Sequence, residues 1–265
     1  MLTFYDVAMG PPLHQRNSAV NPWKSRLALN FKNIPHQTTW VPLPNITKVR
    51  TNLGIPACRK FADGTDFYTL PILTDPTTSA KIGDSFDIAI YLHKQYPNSG
   101  GNLFPPQTLE YTYNPGVDIL VPLSEINQSE YPQYARFNAN VDAVFTMHTM
   151  LMVGGMPFDP ETEEEAKKEF LRRAGLSSWD QFAIGVEARQ QMLDSFEKAL
   201  GDLAKLFGDG PFITEEASYA DLIVGGWLRM ANRTLPEGEW EALRGWHGGV
   251  FGRLHDALEV YAGVN

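Results

Sequence analysis

The sequence of 265 residues contains a single cysteine, Cys58. One thiol cannot form a disulfide within the chain or a cysteine-based metal site, so we expect a reducing, cytoplasmic environment. Positive charge is also scarce, because 22 Lys and Arg are outnumbered by 31 Asp and Glu, which gives a net charge of −9. Nucleic acids and anionic membrane surfaces attract basic patches, so neither is expected as a partner.

Long apolar runs and clusters of metal ligands are missing as well. No segment approaches the roughly 20 apolar residues that cross a bilayer, and residues 1–6 lack the basic region of a signal peptide. His247 and His255 have no cysteine, aspartate or third histidine at a ligand spacing. We therefore expect neither a metal nor another cofactor.

The most informative stretch runs from Phe67 to Leu92. Its first part is rich in aromatic and β-branched residues and predicts a strand, interrupted by Pro71, which cannot donate to a sheet ladder. After a second short strand, the chain turns and enters an apolar helix at or just after Ser85. A helix start carries unpaired N–H groups and a partial positive charge, so it can hold a carboxylate. It can equally be a capped helix with no ligand, because serine is a preferred N-cap.

Two domains are predicted from the pattern of elements. Residues 1–96 alternate as strand, helix, strand, helix, strand, strand and helix, which is typical of an α/β domain with a parallel component and one hairpin. Residues 97–106 are rich in Pro, Gly and Asn and predict a linker. Residues 107–265 carry helical patterns and predict an all-α domain. The helical patterns cover residues 109–123 with proline breaks, 134–152, 161–174, 182–207 and 240–261.

Three motifs follow one another along the chain: Leu70-Pro71, Asp84-Ser85 and a capping pattern of Ser218 with Asp221. Their types and order resemble the glutathione transferase family. The run from Trp23 to Leu29 looks like serine-type members, especially the fungal-specific FuA-like class and the bacterial β-etherases. The resemblance implies a thioredoxin-like N-terminal domain followed by an all-helical C-terminal domain.

The resemblance also implies where glutathione binds. The backbone of Leu70, beside Pro71, would pair with the cysteinyl residue of the tripeptide. Ser85 and its helix start would hold the γ-glutamyl carboxylate, and Asp84 would lie near the ammonium group. Ser218 and Asp221 have a structural role in the family.

The group that stabilises the glutathione thiolate is less clear from the residues. The thiol has a pKa near 8.5, so donors and a helix start must lower that pKa. Ser18 is the first candidate and Asn21 the second, followed by the N–H groups of Trp23 and Lys24, with Asn21-Pro22 opening the helix. Ser18 can instead be a loop hydroxyl, and Asn21 a plain N-cap. Cys58 is interpreted as a non-catalytic cysteine, so thiolate addition or substitution is expected rather than thiol exchange.

The second substrate is expected to bind between the domains. Tyr111, Tyr113, Met147 and Met150 are the predicted walls, since methionine adapts to varied apolar ligands, although methionines at helical spacing are more often core. The predicted function is conjugation or substitution of reduced glutathione onto electrophilic aromatic molecules, in a detoxifying homodimer. One alternative is a ligandin that carries aromatic molecules without catalysis, and another is a regulatory member with an empty glutathione site.

Overall fold

The computed structural model describes residues 1–119, 121–123 and 129–264. All the strands of this part lie before residue 83, in the predicted α/β domain. They are β1 Leu2–Ala8, β2 His36–Pro42, β3 Arg59–Lys60, β4 Asp66–Phe67, β5 Ile72–Asp75 and β6 Ala80–Ile82.

The main sheet has the order β2-β1-β5-β6. β1 runs parallel to β2, with Leu2 opposite His36, and antiparallel to β5, with Phe4 opposite Leu73. β5 and β6 form the predicted hairpin. This mixed sheet, with helices between its strands, confirms the predicted thioredoxin-like order. Phe4 and Leu73 are fully buried, so the two central strands supply the core of the domain.

Helices separate β1 from β2 and β2 from β3, follow β6, and are the main elements of the second domain. The first domain contains α1 Leu13–Arg16, α2 Val20–Phe31, α3 Ile46–Leu53 and α4 Ser85–Gln95. The second domain contains α5 Pro132–Thr146, α6 Met150–Val153, α7 Glu163–Ala174, α8 Val186–Ala204, α9 Tyr219–Thr234 and α10 Glu237–Ala257. Short 3-10 turns cover Leu43–Asn45, Trp179–Phe182 and Leu258–Tyr261. Among these elements, no helix is long and apolar enough to cross a bilayer.

Helix α2 lies between the sheet and the second domain, where it packs on α9. Trp23 and Leu27, on the predicted apolar face, are buried, and so are the charged side chains of Lys24 and Arg26. Arg26 Nη2 donates to Asp6 Oδ2 at 2.8 Å, within the first domain. Lys24 points the other way, into the helical domain. Buried charges are stable only when paired, so α2 carries one ion pair on each face.

Several element boundaries differ from the sequence prediction. Helix α2 begins at Val20 with Ala19 as its N-cap, two residues before the predicted cap Asn21. This start is possible because Pro22 then occupies the third helical position, where an N–H has no acceptor within the helix. Residues 109–119 and 121–123 contain no helix. The prolines there prevent one, and the chain instead buries Leu109 and Tyr111 in the core.

The helical pattern over residues 134–152 is divided in the structure. α5 ends at Thr146 and α6 begins at Met150, and the Thr149 hydroxyl donates to the Thr146 carbonyl at 2.8 Å in the break. Such side-chain bonds to backbone compete with helix continuation. The capping motif is confirmed, because Asp221 Oδ2 accepts from the Ser218 N–H at 2.8 Å. The helical pattern over residues 240–261 is interrupted, since residues 246–249 of α10 have non-helical backbone angles.

Candidate functional site

A cavity of about 230 Å³ lies where the two domains meet. The first domain lines it with Asn21 of α2, Leu70 and Arg59, and the helical domain with Asp142, Arg173 and Trp227. The cavity is therefore bounded by both domains, and in the first domain it lies between the segment that ends at Pro71 and the start of α2. Its two ends, at Leu70 and at the start of α2, differ in how they are built.

The first end is formed by the segment that precedes β5. The Leu70–Pro71 peptide bond is cis. β5 begins only at Ile72, so the backbone of Leu70 lies outside the ladder that pairs β5 with β1. Leu70 and Thr69 both line the cavity. An extended peptide could pair with such a backbone segment as an added strand.

The start of α4 lies close to this segment. Asp84 caps the helix, because its Oδ1 accepts from the Phe86 N–H at 2.8 Å. Its Oδ2 accepts from Arg59 Nη2 at 3.1 Å, and Arg59 lines the cavity. Neither Asp84 nor Ser85 is itself a wall of the cavity. Arg59 therefore connects the cavity to the capped helix start.

Ser85 is buried, with 1% of its surface exposed. Its hydroxyl has no hydrogen-bond partner among the residues that the structure describes. Its carbonyl accepts from the Tyr219 hydroxyl of α9 at 2.9 Å, which ties α4 to the helical domain. A buried hydroxyl without a partner is costly, so it is a candidate to bind a ligand oxygen.

One buried side chain, Arg50 of α3, holds the loops at this end together. Its Nη1 donates to the carbonyls of Thr69 and Gly83, at 2.7 Å each. Its Nη2 donates to the Pro56 carbonyl and to Cys58 Sγ, the latter at 3.2 Å. A Cβ on Gly83 would collide with this guanidinium, so only glycine permits the contact. Arg50 thereby fixes Leu70 and Asp84 relative to each other, because each follows a carbonyl that it binds.

The second end of the cavity is the start of α2. The side chain of Asn21 is half-buried and lines the cavity, and its Oδ1 has no partner within the described part of the chain. Val20 and Asn21 stand in the first turn, where N–H groups have no acceptor within the helix. Ser18 is buried, and its Oγ lies 3.9 Å from Met156 Sδ. Ser18 does not line the cavity, so the structure brings Asn21 and not Ser18 to this end.

Trp23 and Lys24 do not line the cavity either. The Trp23 N–H donates to the Ala19 carbonyl at 3.1 Å and its indole donates to the Asn17 carbonyl at 2.8 Å. Lys24 Nζ lies 2.5 Å from Asp142 Oδ1 and 2.8 Å from Asn138 Oδ1. Their donors are thus used within the fold.

Lys24 nevertheless matters for the cavity, because its partner Asp142 is a cavity wall. The same Asp142 Oδ1 accepts from Trp227 Nε1 at 2.7 Å, and Trp227 is a further wall. Burial lowers the pKa of Lys24, and the neighbouring Asp142 carboxylate opposes this shift. The pair positions both walls of the helical domain against α2.

None of the four residues predicted for the second substrate lines this cavity. Tyr111 is buried with its ring 6.3 Å from that of Phe137, and burial raises the pKa of its hydroxyl. The Tyr113 N–H donates to Asn140 Oδ1 at 2.8 Å. Met147 caps the end of α5 and Met150 begins α6. The apolar walls of this cavity include instead Trp227, Phe67, Leu43 and Ile46.

Two family models match the chain, one in each domain. Residues 20–95 match the model described as "Glutathione S-transferase, N-terminal domain". Residues 137–261 match that described as "Glutathione S-transferase, C-terminal domain". The chain belongs to the glutathione S-transferase family. The resemblance inferred from the sequence is therefore confirmed, and so is the fold class.

Similar transferases include several from fungi. The glutathione S-transferase CsGST63524 of Ceriporiopsis subvermispora, crystallised in complex with glutathione, is 28% identical. The alignment covers 100% of this chain and 98% of that one, with a TM-score of 0.79. The glutathione transferase GSTFuA3 from Phanerochaete chrysosporium is 25% identical over 100% and 98% of the two chains, with a TM-score of 0.77. The glutathione S-transferase-like protein ustS from Aspergillus flavus is 24% identical over 94% of this chain and 90% of that protein.

Sequence reasoning missed three arginines of this family member. The role of Arg50 could not be recognised from the sequence, because its buried contacts are carbonyls of loops distant in the chain. Arg59 was visible only as part of a basic pair beside Cys58. Arg173 belongs to a helix whose acidic-to-basic pattern already fits the helix dipole. Its position against the first domain depends on how the domains pack.

Proposed function

We propose that this protein binds reduced glutathione in the interdomain cavity and transfers it to electrophilic aromatic molecules. The observation that carries the proposal is the composition of one cavity. It has the Leu70 backbone beside a cis-proline on one wall and the first turn of α2, with Asn21, on another. Family membership and the glutathione-bound fungal relative support the same activity.

Glutathione would lie along the Leu70 segment. Its cysteinyl backbone would pair with Leu70, and its γ-glutamyl group would point to the start of α4. There the unpartnered Ser85 hydroxyl and the helix N-terminus favour a carboxylate, whereas the Asp84 carboxylate favours the ammonium group. Arg59, which is paired with Asp84, lies between this end and the cavity.

The sulfur would then face the first turn of α2. We propose that the Asn21 side chain and the N–H groups of this turn stabilise the thiolate. Each unit by which they lower the thiol pKa corresponds to about 1.4 kcal/mol of preferential interaction with the thiolate. Ser18 is the weaker candidate, because its hydroxyl is directed to the Met156 sulfur. The glutathione thiol gives its proton to solvent, and the thiolate forms a carbon–sulfur bond with an electrophilic carbon of the second substrate. In a substitution the leaving group departs with its bonding electron pair, and in an addition the resulting carbanion takes up a proton from solvent.

The second substrate would contact the apolar walls of the cavity. Trp227 and Phe67 offer aromatic surfaces there, and Leu43 and Ile46 offer aliphatic ones. Aromatic rings stack on aromatic side chains and bury much apolar area, so an aromatic electrophile suits these walls. Of the walls predicted from the sequence, Tyr111 lies in the core and Tyr113 packs against it, whereas Met147 and Met150 are half-buried outside the cavity.

A ligandin role is the second candidate. The observation that favours it is the position of Ser18, because a serine-type transferase without its serine at the cavity has fewer groups to activate the thiol. Such a protein would bind aromatic molecules, and glutathione would not react with them.

The family resemblance further supports a cytoplasmic homodimer. Sedimentation velocity tests the dimer, which should appear as a species of twice the chain mass.

Calorimetric titration with glutathione, followed by turnover with chlorodinitrobenzene and other aryl halides, tests the proposal. The proposed function predicts binding at millimolar glutathione or below and a glutathione-dependent rate above that of the uncatalysed reaction. Binding of a fluorescent aromatic dye with no turnover of any aryl halide would favour the ligandin role. A protein that binds no glutathione at all would overturn the proposal.

A further inference from the structure

Arg173 enters the cavity from the helical domain. It lies near the end of α7, and only 11% of its side chain is exposed. Its Nη1 donates to the Tyr68 carbonyl at 2.8 Å, across the domain boundary, and its Nε donates to Glu169 Oε1 at 2.8 Å. The guanidinium carbon is 5.4 Å from the centre of the Phe67 ring. These contacts hold the group in one position.

One nitrogen of this guanidinium is left over. Nη2 of Arg173 is buried and has no hydrogen-bond partner among residues 1–119, 121–123 and 129–264. Arg173 is also a wall of the cavity. An arginine N–H that is buried without a partner is costly, and a carboxylate is the partner that a fixed guanidinium binds best.

The surrounding charges leave Arg173 with an excess of positive charge. Its partner Glu169 is shared, because Arg172 donates to both oxygens of the same carboxylate at 2.8 Å. Two guanidinium groups thus face one carboxylate. The other arginine of the cavity wall, Arg59, is already paired with Asp84. The acidic wall Asp142 is paired with Lys24.

We propose that Arg173 is a carboxylate-binding residue of the cavity, supplied by the helical domain. The proposal rests on the proposed function and deepens it. Arg173 binds the carbonyl of Tyr68, two residues before Leu70. A glutathione paired at Leu70, with its γ-glutamyl end at α4, would send its glycine carboxylate away from α4 along this segment. A carboxylate on the second substrate is the other group that Arg173 could bind in the same way.

Two pairs of ligands separate these sources. The first pair is glutathione and its glycinamide, which lacks only the glycine carboxylate. The second pair is naphthoate and naphthamide, aromatic probes that differ in the same way. Calorimetry on the full chain gives the ratio of acid to amide affinity for each pair. We expect the wild-type protein to prefer the acid by about 10- to 100-fold in at least one pair.

Arg173→Met should bring that ratio close to one, and Arg173→Lys should restore it in part. Arg172→Met is the matched control, because Arg172 shares Glu169 but is about half exposed and does not line the cavity. It should lower the ratio far less than Arg173→Met does, because Arg173 keeps its unpartnered Nη2. A change confined to the glutathione pair assigns the glycine carboxylate, and a change confined to the naphthoate pair assigns the acceptor.

Two outcomes would overturn the proposal. One is a wild-type protein that does not distinguish acid from amide in either pair. The other is an Arg173→Met variant that weakens acid and amide equally, which indicates a role in holding Tyr68 alone. Failure of the proposed function is distinguishable, because it abolishes binding of glutathione and its amide together and leaves the naphthoate pair to report on Arg173.

Discussion

The two ends of the cavity are built in different ways. At the end near α4, a single buried guanidinium, Arg50, binds the carbonyls that precede Leu70 and Asp84. At the end near α2, the buried Lys24 joins the helix to Asp142 of the helical domain, and the groups available to a ligand are the half-buried Asn21 and the N–H groups of the first helical turn. The first end is held by backbone contacts, and the second depends on where one helix begins.

This difference separates binding from chemistry. Positioning of the tripeptide requires a fixed backbone, which Arg50 and the Tyr219 contact to the Ser85 carbonyl provide. Activation of the thiol requires only donors within reach of the sulfur, and side chains or amides can serve equally. We therefore expect substitutions at the first end to change affinity, and those at the second to change the thiol pKa and the rate.

The largest effect is expected from Arg50→Met. It leaves the carbonyls of Thr69, Gly83 and Pro56 without their shared donor. We expect the free energy of unfolding to fall by about 3–5 kcal/mol and glutathione affinity to fall by about 100-fold or more. Denaturant unfolding and calorimetry measure the two quantities. Lys48→Met, at an exposed position on the same helix, is the control. A variant with unchanged glutathione affinity would contradict the role of Arg50.

Lys24→Met tests how firmly the second end is joined to the helical domain. It leaves Asp142 buried beside an apolar side chain, so we expect a loss of about 3–5 kcal/mol in unfolding free energy. The double variant Lys24→Met with Asp142→Leu removes both charges and should recover part of this loss. If the single variant is as stable as wild type by denaturant unfolding, the ion pair does not join α2 to the helical domain.

Much of the first end could be predicted from the sequence. Leu70-Pro71 and Asp84-Ser85 are contiguous motifs, so the start of β5 after Pro71 and the capped start of α4 follow from the local sequence. Ser218 with Asp221 marks a helix start by spacing alone. The second end could not be predicted in the same way. α2 starts two residues before its predicted start, which places Asn21 in the first helical turn, at the cavity, and leaves Ser18 outside the helix.

The other residues that the sequence did not place correctly share one cause, because their positions depend on contacts far along the chain. Arg50 and Arg173 find partners far along the chain, which no local pattern reports. Tyr111 could have faced either the cavity or the core, because both places favour apolar residues.

Ser85→Ala tests the proposed carboxylate site at the first end of the cavity. The variant removes a buried hydroxyl proposed to bind the γ-glutamyl carboxylate, so glutathione binding should weaken by about 1–3 kcal/mol. The rate at saturating glutathione should change little. Ser25→Ala is a matched control, because that hydroxyl is also buried without a partner in the described residues but belongs to the interior of α2 and not to the start of α4. Equal effects of both variants on affinity would argue against the carboxylate site.

The smallest effects are expected at the second end. Asn21→Ala should raise the apparent pKa of the thiol of bound glutathione by about one unit, equivalent to about 1.4 kcal/mol. The rate below that pKa should fall about tenfold, and affinity should stay close to wild type. Ser18→Ala should shift the pKa by no more than a few tenths. The ultraviolet absorbance of the bound thiolate, followed against pH, measures both. A larger shift for Ser18→Ala would return the role to Ser18.

A crystal structure of the protein soaked with reduced glutathione tests the central claim most directly. We predict the cysteinyl backbone paired with Leu70, the γ-glutamyl carboxylate at Ser85 and the sulfur within hydrogen-bond distance of Asn21 or the first amides of α2. Electron density that shows the interdomain cavity filled by the protein's own side chains, or the tripeptide bound elsewhere, would contradict the account.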